Sequence, residues 1–368
     1  MANLPKHAKR CCIIVLLCAN MLSGCGFRDI DKRFFVVEMA LDKGEKKPYK
    51  VSLKLAIPSP KMEPGDSKSQ IISAEGDSIA ETVRRMKSMV DKEFDFGHTK
   101  VFILGKPFAE EVDLRHALDW LARRRDIQGV AFLAMGQPDA LTVLKVKPPS
   151  ERLPGNSLIL SFTREGTDSP FIVPEYWFDF YRRLRERGKD PYLPVIIPEQ
   201  ETFDISKVAV VAGGRSKLEL DDRDTEIFNQ LARYVQRSVL KGEYKGKSFE
   251  ISVDQIKKKY RIVTPAEGQP SVEMHVTLKG EVEESAVSLF EKDWEMLERN
   301  LAENQKQRYV EVLEKLRDAN VDPVGFGLRY RATRHHPATE WEEWQKIYPR
   351  VQFHVHVKVE LKGTGIVK

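Results

Sequence analysis

The sequence predicts a mixed α+β (α/β) chain of two to three domains. An N-terminal mixed sheet with packed helices comes first, then a largely antiparallel C-terminal sheet with one long helix. Three observations carry this. Strand-like and helix-like patterns alternate through roughly the first 145 residues, the order expected of a sheet covered by helices. The second half holds period-two runs beside one extended helical stripe. All four cysteines, Cys11, Cys12, Cys18 and Cys25, lie in the first 25 of 368 residues, so ordinary apolar packing must hold the rest together without disulfides or thiolate metal sites.

The elements run in order. Phe34–Leu41 is an apolar, strand-like run, and Asp42-Lys43-Gly44-Glu45-Lys46 has turn chemistry. Tyr49–Ile57 alternates, with Tyr49, Val51, Leu53, Leu55 and Ile57 on one face, which predicts a hairpin buried on one side. Pro58–Gln70 reads as a loop. Ser78 and Glu81 form a capping box before a helix whose stripe is Ile79, Val83, Met86 and Val90. A strand is expected at Lys100–Leu104, a helix at Val112–Arg125, a strand at Val130–Met135 and a short helix from Asp139. Residues 146–200 are proline-rich, a possible separate subdomain, and a boundary is placed at about 200. Within them Tyr176-Trp177-Phe178, Phe180 and Tyr181 suit the core face of an amphipathic helix better than a partner-facing patch.

The second half starts with a strand at Lys207–Val211 and a turn at Gly213-Gly214. A helix is expected from Thr225 to Leu240, with Phe228, Leu231, Val235 and Val239 inward; Asp221, Asp222 and Asp224 before it suit the positive end of its dipole better than a metal. Strands are expected near 248–253 and 272–282, and a long helix from Leu289 to Asn320. Val351–Leu361 alternates strictly and is the strongest strand signal in the chain.

The N-terminus is the most informative segment. Lys6, Lys9 and Arg10 precede the short apolar run Cys11–Met21, too short to span a bilayer. The run ends in Leu22-Ser23-Gly24-Cys25, a lipobox pattern. Small residues before Cys25 admit a peptidase, and the Cys25 thiol is the nucleophile that takes a diacylglyceryl group. Residues 1–24 are therefore expected to be a lipoprotein signal peptide, and the mature chain an exported, membrane-tethered one. That segment carries three of the 60 basic residues and no acidic one, which leaves 57 against 55. So nearly neutral a chain gives no support to nucleic-acid binding.

Catalytic motifs are incomplete. Gly155-Asn156-Ser157-Leu158-Ile159 lacks the second glycine of a nucleophile elbow. Ser238-Val239-Leu240-Lys241 matches S-x-x-K without companions, and Gly242–Ser248 is one residue short of a P-loop. His354 and His356 share a strand face, His335-His336 are adjacent, and His98 precedes a strand. A solvated or packing role suits each better than a metal site. No catalytic residue and no metal ligand is assigned.

Three stretches, in order, resemble the Ger(x)C family of spore-germination lipoproteins, the C subunits of nutrient germinant receptors. Cys25 is followed by a strand ending in Leu41-Asp42-Lys43-Gly44. Gly97-His98-Thr99-Lys100-Val101-Phe102-Ile103-Leu104-Gly105 is similar to a family phrase, followed by a helix ending Arg124-Arg125-Asp126 and a strand ending Gly136. Val321-Asp322-Pro323-Val324-Gly325-Phe326-Gly327 precedes Trp341, Trp344, Tyr348-Pro349, the alternating strand and Gly363-Thr364-Gly365. Gly26 departs from the family, in which many members carry Trp, and residues 146–200 and 261–270 match little. The resemblance implies a non-catalytic lipoprotein on the outer face of the spore inner membrane. It implies two integral-membrane partners, the A and B subunits, one of them transporter-like, and no cofactor beyond the lipid on Cys25. A lipid-anchored solute-binding protein is the alternative class, set back because the two halves of the chain differ.

Overall fold

The computed structural model describes residues 32–57, 69–151, 153–163, 166, 169–232, 237–285, 294–334 and 339–363. Two sheets organise the chain. The first has nine strands in the order β3-β2-β1-β5-β6-β7-β8-β9, with β4 also paired to β1. Its strands are β1 (Arg33–Lys43), β2 (Tyr49–Ala56), β3 (Ser69–Gly76), β4 (Glu93–Asp95), β5 (Val101–Gly105), β6 (Phe132–Gly136), β7 (Tyr192–Glu199), β8 (Thr202–Ala212) and β9 (Arg215–Leu220). β1, β5, β6 and β7 run parallel, while β1-β2-β3 and β7-β8-β9 are antiparallel meanders. The second sheet is β10 (Ser238–Tyr244), β11 (Lys247–Val263), β12 (Ser271–Ser285) and β13 (Gln352–Leu361), antiparallel except for the parallel β12–β13 pair.

The hairpin β1–β2 is buried on both faces, not one. Val51, Leu53 and Leu55 enter one core, while Ser52 and Lys54 lie under the segment that carries α5 (Ala140–Lys145) and α6 (Asn156–Phe162). Parallel strands are flanked by crossover helices on both sides, and this covers the face that looked solvent-directed. β3 falls partly in the expected loop: its alternation is weak, and cross-strand pairing to β2, including Ser52 Oγ to Ser73 Oγ at 2.7 Å, holds it. Of that loop, 58–68 lie outside the described residues.

α1 (Ile79–Lys87) starts at Ser78, whose side chain accepts from Glu81 N–H. Val90 lies beyond its end. The helix expected at Val112–Arg125 is broken. α2 (Lys106–Glu111) precedes it, and α3 (Leu114–Ala117) and α4 (Asp119–Arg123) meet at Leu118. The Asp113 side chain caps α3 by accepting from Arg115 N–H at 3.0 Å. Asp139 caps α5 by accepting from Thr142 N–H at 2.8 Å.

α8 (Asp222–Ala232) stops well short of Leu240, which belongs with Val239 to β10 instead. Val235 lies outside the described residues. A 4-residue spacing of apolar residues suits a helix and a strand alike, and the hairpin turn decides for the strand. Lys245 (φ 51°) and Gly246 (φ 72°) both occupy the left-handed region, the geometry of a two-residue hairpin turn. The strands expected near 248–253 and 272–282 extend to 17 and 15 residues. The long helix α9 is described over Trp294–Asp318, and its expected start at Leu289 lies outside the described residues. α10 (Phe326–Ala332) and α11 (Glu340–Ile347) lead into β13. Among the described residues, no helix is long and apolar enough to cross a membrane.

The turn Glu199–Thr202, where a boundary was expected, lies inside the nine-stranded sheet, and that sheet continues to Leu220. β8 separates two cores. Val208 and Val210 join the C-terminal core with Phe228 of α8, Tyr309 of α9 and Val355 of β13, while Ala209 and Val211 face the N-terminal core.

β13 keeps the alternation read from sequence. Phe353 and Val355 are buried; His354 and His356 are exposed. Val355→Asp places an unpaired carboxylate in the C-terminal core and is expected to destabilise the fold by more than about 3 kcal/mol, whereas His354→Ala stays within about 0.5 kcal/mol. Urea unfolding of the chain from Gly26 measures both, and the reverse order would mean the register is wrong.

Candidate functional site

The residues that carried the sequence resemblance converge on two structural devices. At the carboxyl edge of the first sheet, Asp42, next to last in β1, turns its carboxylate onto the N-terminus of α5. It accepts from Ala140 N–H at 2.8 Å and Leu141 N–H at 2.9 Å. Those are orphan donors of a helix end. Burial pushes the Asp42 carboxyl up despite these donors. A Cβ on Gly105 would lie 2.0 Å from Asp42 Oδ1, so only glycine admits the contact.

The second device joins the halves. Asp322 accepts from Gly325 N–H (2.8 Å), Phe326 N–H (3.0 Å) and Gly327 N–H (2.6 Å), capping α10. Gly325 has φ 92°, a conformation that favours glycine. The segment 188–190, between α7 (Trp177–Arg185) and β7, closes on this cap. Asp190 Oδ2 accepts from Asp322 N–H at 2.7 Å, Asp190 N–H donates to the Asp322 carbonyl at 2.9 Å, and Leu328 N–H donates to the Gly188 carbonyl at 2.7 Å. A Cβ on Gly327 would meet Trp344 Nε1 at 2.5 Å and Gly188 Cα at 2.9 Å. Trp344 sits in a ladder of rings, 5.1 Å from Tyr330 and 5.5 Å from Tyr348. The Tyr348 hydroxyl donates to the Val321 carbonyl at 2.7 Å.

Charge is concentrated and buried at this seam. Burial pushes Asp322 up to about 7 and Asp190 up to about 6 against their backbone donors. Lys258, whose Nζ donates to the Gln230 and Leu231 carbonyls, is pushed down to about 7 by burial and then by Lys189. In the N-terminal half, Lys54 Nζ lies 3.0 Å from Glu38 and 3.9 Å from Glu151, all three buried. Burial outweighs Lys54 in setting Glu38, whose carboxyl is raised.

The remaining sequence candidates are separated or otherwise engaged. Cys25 and His335-His336 lie outside the described residues. Ser157 Oγ donates to Glu151 Oε2 at 2.6 Å, so the elbow-like serine serves the buried cluster. Ser238 is buried beside Gln230 and Glu226, while Lys241 points outward to Glu250 at 3.1 Å. Three residues apart on a strand, the two face opposite ways. Gly242–Ser248 is the β10–β11 hairpin. Asp221 Oδ1 accepts from Asp224 N–H at 2.9 Å at the start of α8. His98 packs edge-on to Phe35, with its Nδ1 3.6 Å from Asp95. His356 stacks on His275 at 4.8 Å. Among the described residues no group of three His, Cys, Asp or Glu side chains is placed to hold a metal. The aromatic cluster splits: Trp177 and Phe180 are core, whereas Tyr176 (41%) and Phe178 (60%) are exposed.

A cleft of about 520 Å³ opens at the carboxyl ends of β5, β6 and β7, beside Lys106, Gln137, Thr142 and Ile197. Lys106 Nζ and Gln137 Nε2 both donate to Glu219 Oε2, at 2.9 and 2.8 Å. Sequence reasoning missed this cleft, Asp190 and Lys258, because each is assembled from segments far apart in the chain.

Both carboxyls of the seam titrate higher when folded than the ordinary value near 4, so the folded state holds protons that the unfolded state releases between about pH 4 and 7. Stability from these groups is present at about pH 4 and is lost as pH rises through about 7. Asn at position 190 keeps the oxygen that accepts from Asp322 N–H. Asp190→Asn is therefore expected to gain about 1 kcal/mol or more at pH 8 relative to pH 5. Chemical unfolding across that range measures it, and an unchanged pH slope would contradict the assignment.

Two family models together cover most of the chain: "Spore germination protein N-terminal domain" over residues 26–198 and "Spore germination B3/ GerAC like, C-terminal" over 206–365. The chain is 20% identical to the spore germination protein GerQC of Bacillus cereus, across 83% of this chain and 85% of that one. It is 20% identical to spore germination protein KC of Bacillus subtilis (strain 168), across 96% and 95%. Its fold is similar to the crystal structure of the GerBC protein, with a TM-score of 0.56 and 15% identity over 88% of this chain and 96% of that one. The glycines and aspartates that hold the two devices together thus sit in a chain that belongs to the Ger(x)C family of spore germination proteins.

Proposed function

We propose that the mature chain begins at a diacylglyceryl-bearing Cys25, with residues 1–24 removed as a signal peptide. It acts as the non-catalytic C subunit of a nutrient germinant receptor. On this reading it stands on the outer face of the spore inner membrane and works through contacts with two integral-membrane subunits. It needs no cofactor beyond its covalent lipid, and it makes no use of nucleic acid.

The observation that carries the non-catalytic reading is the engagement of the motif carboxylates. Asp42 and Asp322 each hold backbone N–H groups at a helix start, and Asp322 is buried. Their neighbours Gly105 and Gly327 are required by close approach. Residues fixed in this way build a shape rather than a reaction centre. A lipid supplies the tether because each buried CH₂ contributes about 0.8 kcal/mol and two acyl chains hold where one is marginal. Tethering raises the effective concentration of the chain near membrane subunits, to about the mM range for short linkers.

The alternative, a lipid-anchored solute-binding protein, has the cleft of about 520 Å³ in its favour. Against it, Lys106 and Gln137 are turned to Glu219, and the cleft lies at the edge of one sheet, not between two similar lobes.

Metabolic labelling with a clickable fatty acid is expected to mark the wild-type chain and not Cys25→Ala, which leaves the membrane fraction. Detergent-solubilised spore membranes are expected to yield the two integral-membrane subunits with the wild-type chain. Calorimetry is expected to detect no binding of amino acids or sugars by the chain itself. Micromolar binding of a germinant would promote the solute-binding reading, and label on Cys25→Ala would sink the anchor.

A further inference from the structure

Nine large hydrophobic side chains are exposed among the described residues, and five of them, Ile57, Met89, Val130, Tyr176 and Phe178, lie along one edge of the nine-stranded sheet. The register shows this. Glu38 of β1 is level with Val101 of β5, and Val101 with Phe132 of β6, so the residues before these are the amino edge of the parallel strands. Val130 lies two residues before Phe132. The segment at Tyr176 runs antiparallel to β6: Tyr176 bridges Phe132, its ring stacked at 4.8 Å, and Phe178 N–H donates to the Gly129 carbonyl at 3.1 Å. Phe178 therefore stands beside Val130 at the tip. Ile57 follows Ala56, which pairs with Phe35 near the start of β1. Met89 lines a surface depression with Phe34, close to the same start.

β1 begins on this edge at Arg33, and Val130 lies two strands away and about three residues along, roughly 15 Å by ordinary strand spacings. Only residues 26–32 separate Arg33 from Cys25, a span of at most roughly 28 Å fully extended. We propose that this edge is the membrane-contacting face of the chain, with Phe178, Val130, Tyr176, Met89 and Ile57 set into the interfacial layer of the bilayer. The proposal rests on the lipidation of Cys25. Without a membrane, apolar groups gathered on one edge would stand in water; against one, they meet the headgroup–acyl boundary, where aromatic rings are favoured. Charge is not the attraction. Arg33 pairs with Asp95, Lys87 with Glu93 and Arg124 with Asp126. Contact is therefore expected with neutral and anionic bilayers alike.

The sequence supplies a clean test. No cysteine follows Cys25, and a lipidated Cys25 has no free thiol, so one introduced cysteine carries a probe alone. Phe178→Cys, Val130→Cys and Met89→Cys, with Glu45→Cys in the turn at the opposite edge as the reference, are labelled with an environment-sensitive fluorophore. The lipidated chains are reconstituted into phosphatidylcholine vesicles, with and without phosphatidylglycerol, containing a spin-labelled lipid quencher. Probes at 178, 130 and 89 are expected to shift to the blue and be quenched several-fold more than the probe at 45, in both lipid compositions. Probes that stay in water while fatty-acid labelling shows an anchored chain would overturn the proposal and leave the anchor standing. Desolvation without lipid quenching would mean that protein, a second copy of the chain, covers the face, and contact only in anionic vesicles would mean charge attraction; each overturns it. A chain that carries no fatty acid would overturn the anchor, and the proposal with it.

Discussion

Strand β8 sends its side chains into two cores at once, and the two halves of the molecule depend on that. Val208 and Val210 complete the C-terminal core; Ala209 and Val211 complete the N-terminal one. A strand with both faces buried cannot slip by one residue without exchanging the contents of the two cores. The backbone bridge between 188–190 and 322–328 closes the same junction from another side. The nine-stranded sheet passes directly into α8, since β9 ends at Leu220 and α8 starts at Asp222. Domain motion is the usual expectation where interfaces are small and polar. Here the shared strand and the carboxylates at the seam argue for one stiff body.

What was legible in the sequence was what local pattern determines. The alternation of β13 and the Ser78 cap of α1 come from spacing alone, and the start of α5 beside Asp139 was legible too. What was not legible depended on distant partners. Lys54 sits at a position that period two assigns to solvent, and it is buried because Glu38 and Glu151 arrive to pair with it. β10 shares its apolar spacing with a helix, and its identity comes from pairing with β11. β3 has little alternation and exists because β2 offers it an edge. The Asp113 cap starts α3, and a break at Leu118 divides what looked like one helix into α3 and α4.

The motif residues invert the usual reading of conspicuous polar groups. Sequence alone picks out serines, lysines and histidines that match fragments of catalytic patterns. In the folded chain Ser157, Ser238 and Lys241 each serve a local partner. The groups in unusual electrostatic surroundings are Asp190, Asp322 and Lys258, of which only Asp322 lies in a stretch that the sequence singles out. They are buried where two halves meet, and burial is what shifts them. Perturbed ionisable groups gather at functional sites and also at structural junctions. The backbone N–H groups around Asp322 favour the junction here, because they are helix-end donors that require an acceptor in any case.

A stiff body changes what a lipid on Cys25 would accomplish. On a flexible chain, a tether fixes only distance, and each domain samples its own orientations. Here β1, the first strand after Cys25, lies in the same continuous sheet as β8, and β8 is packed into the C-terminal core. Setting the amino edge of that sheet against a surface therefore sets the orientation of β13 and α9 as well. Any partner held in the same bilayer would meet a surface of fixed height and facing, and the conformational entropy lost on docking is correspondingly small.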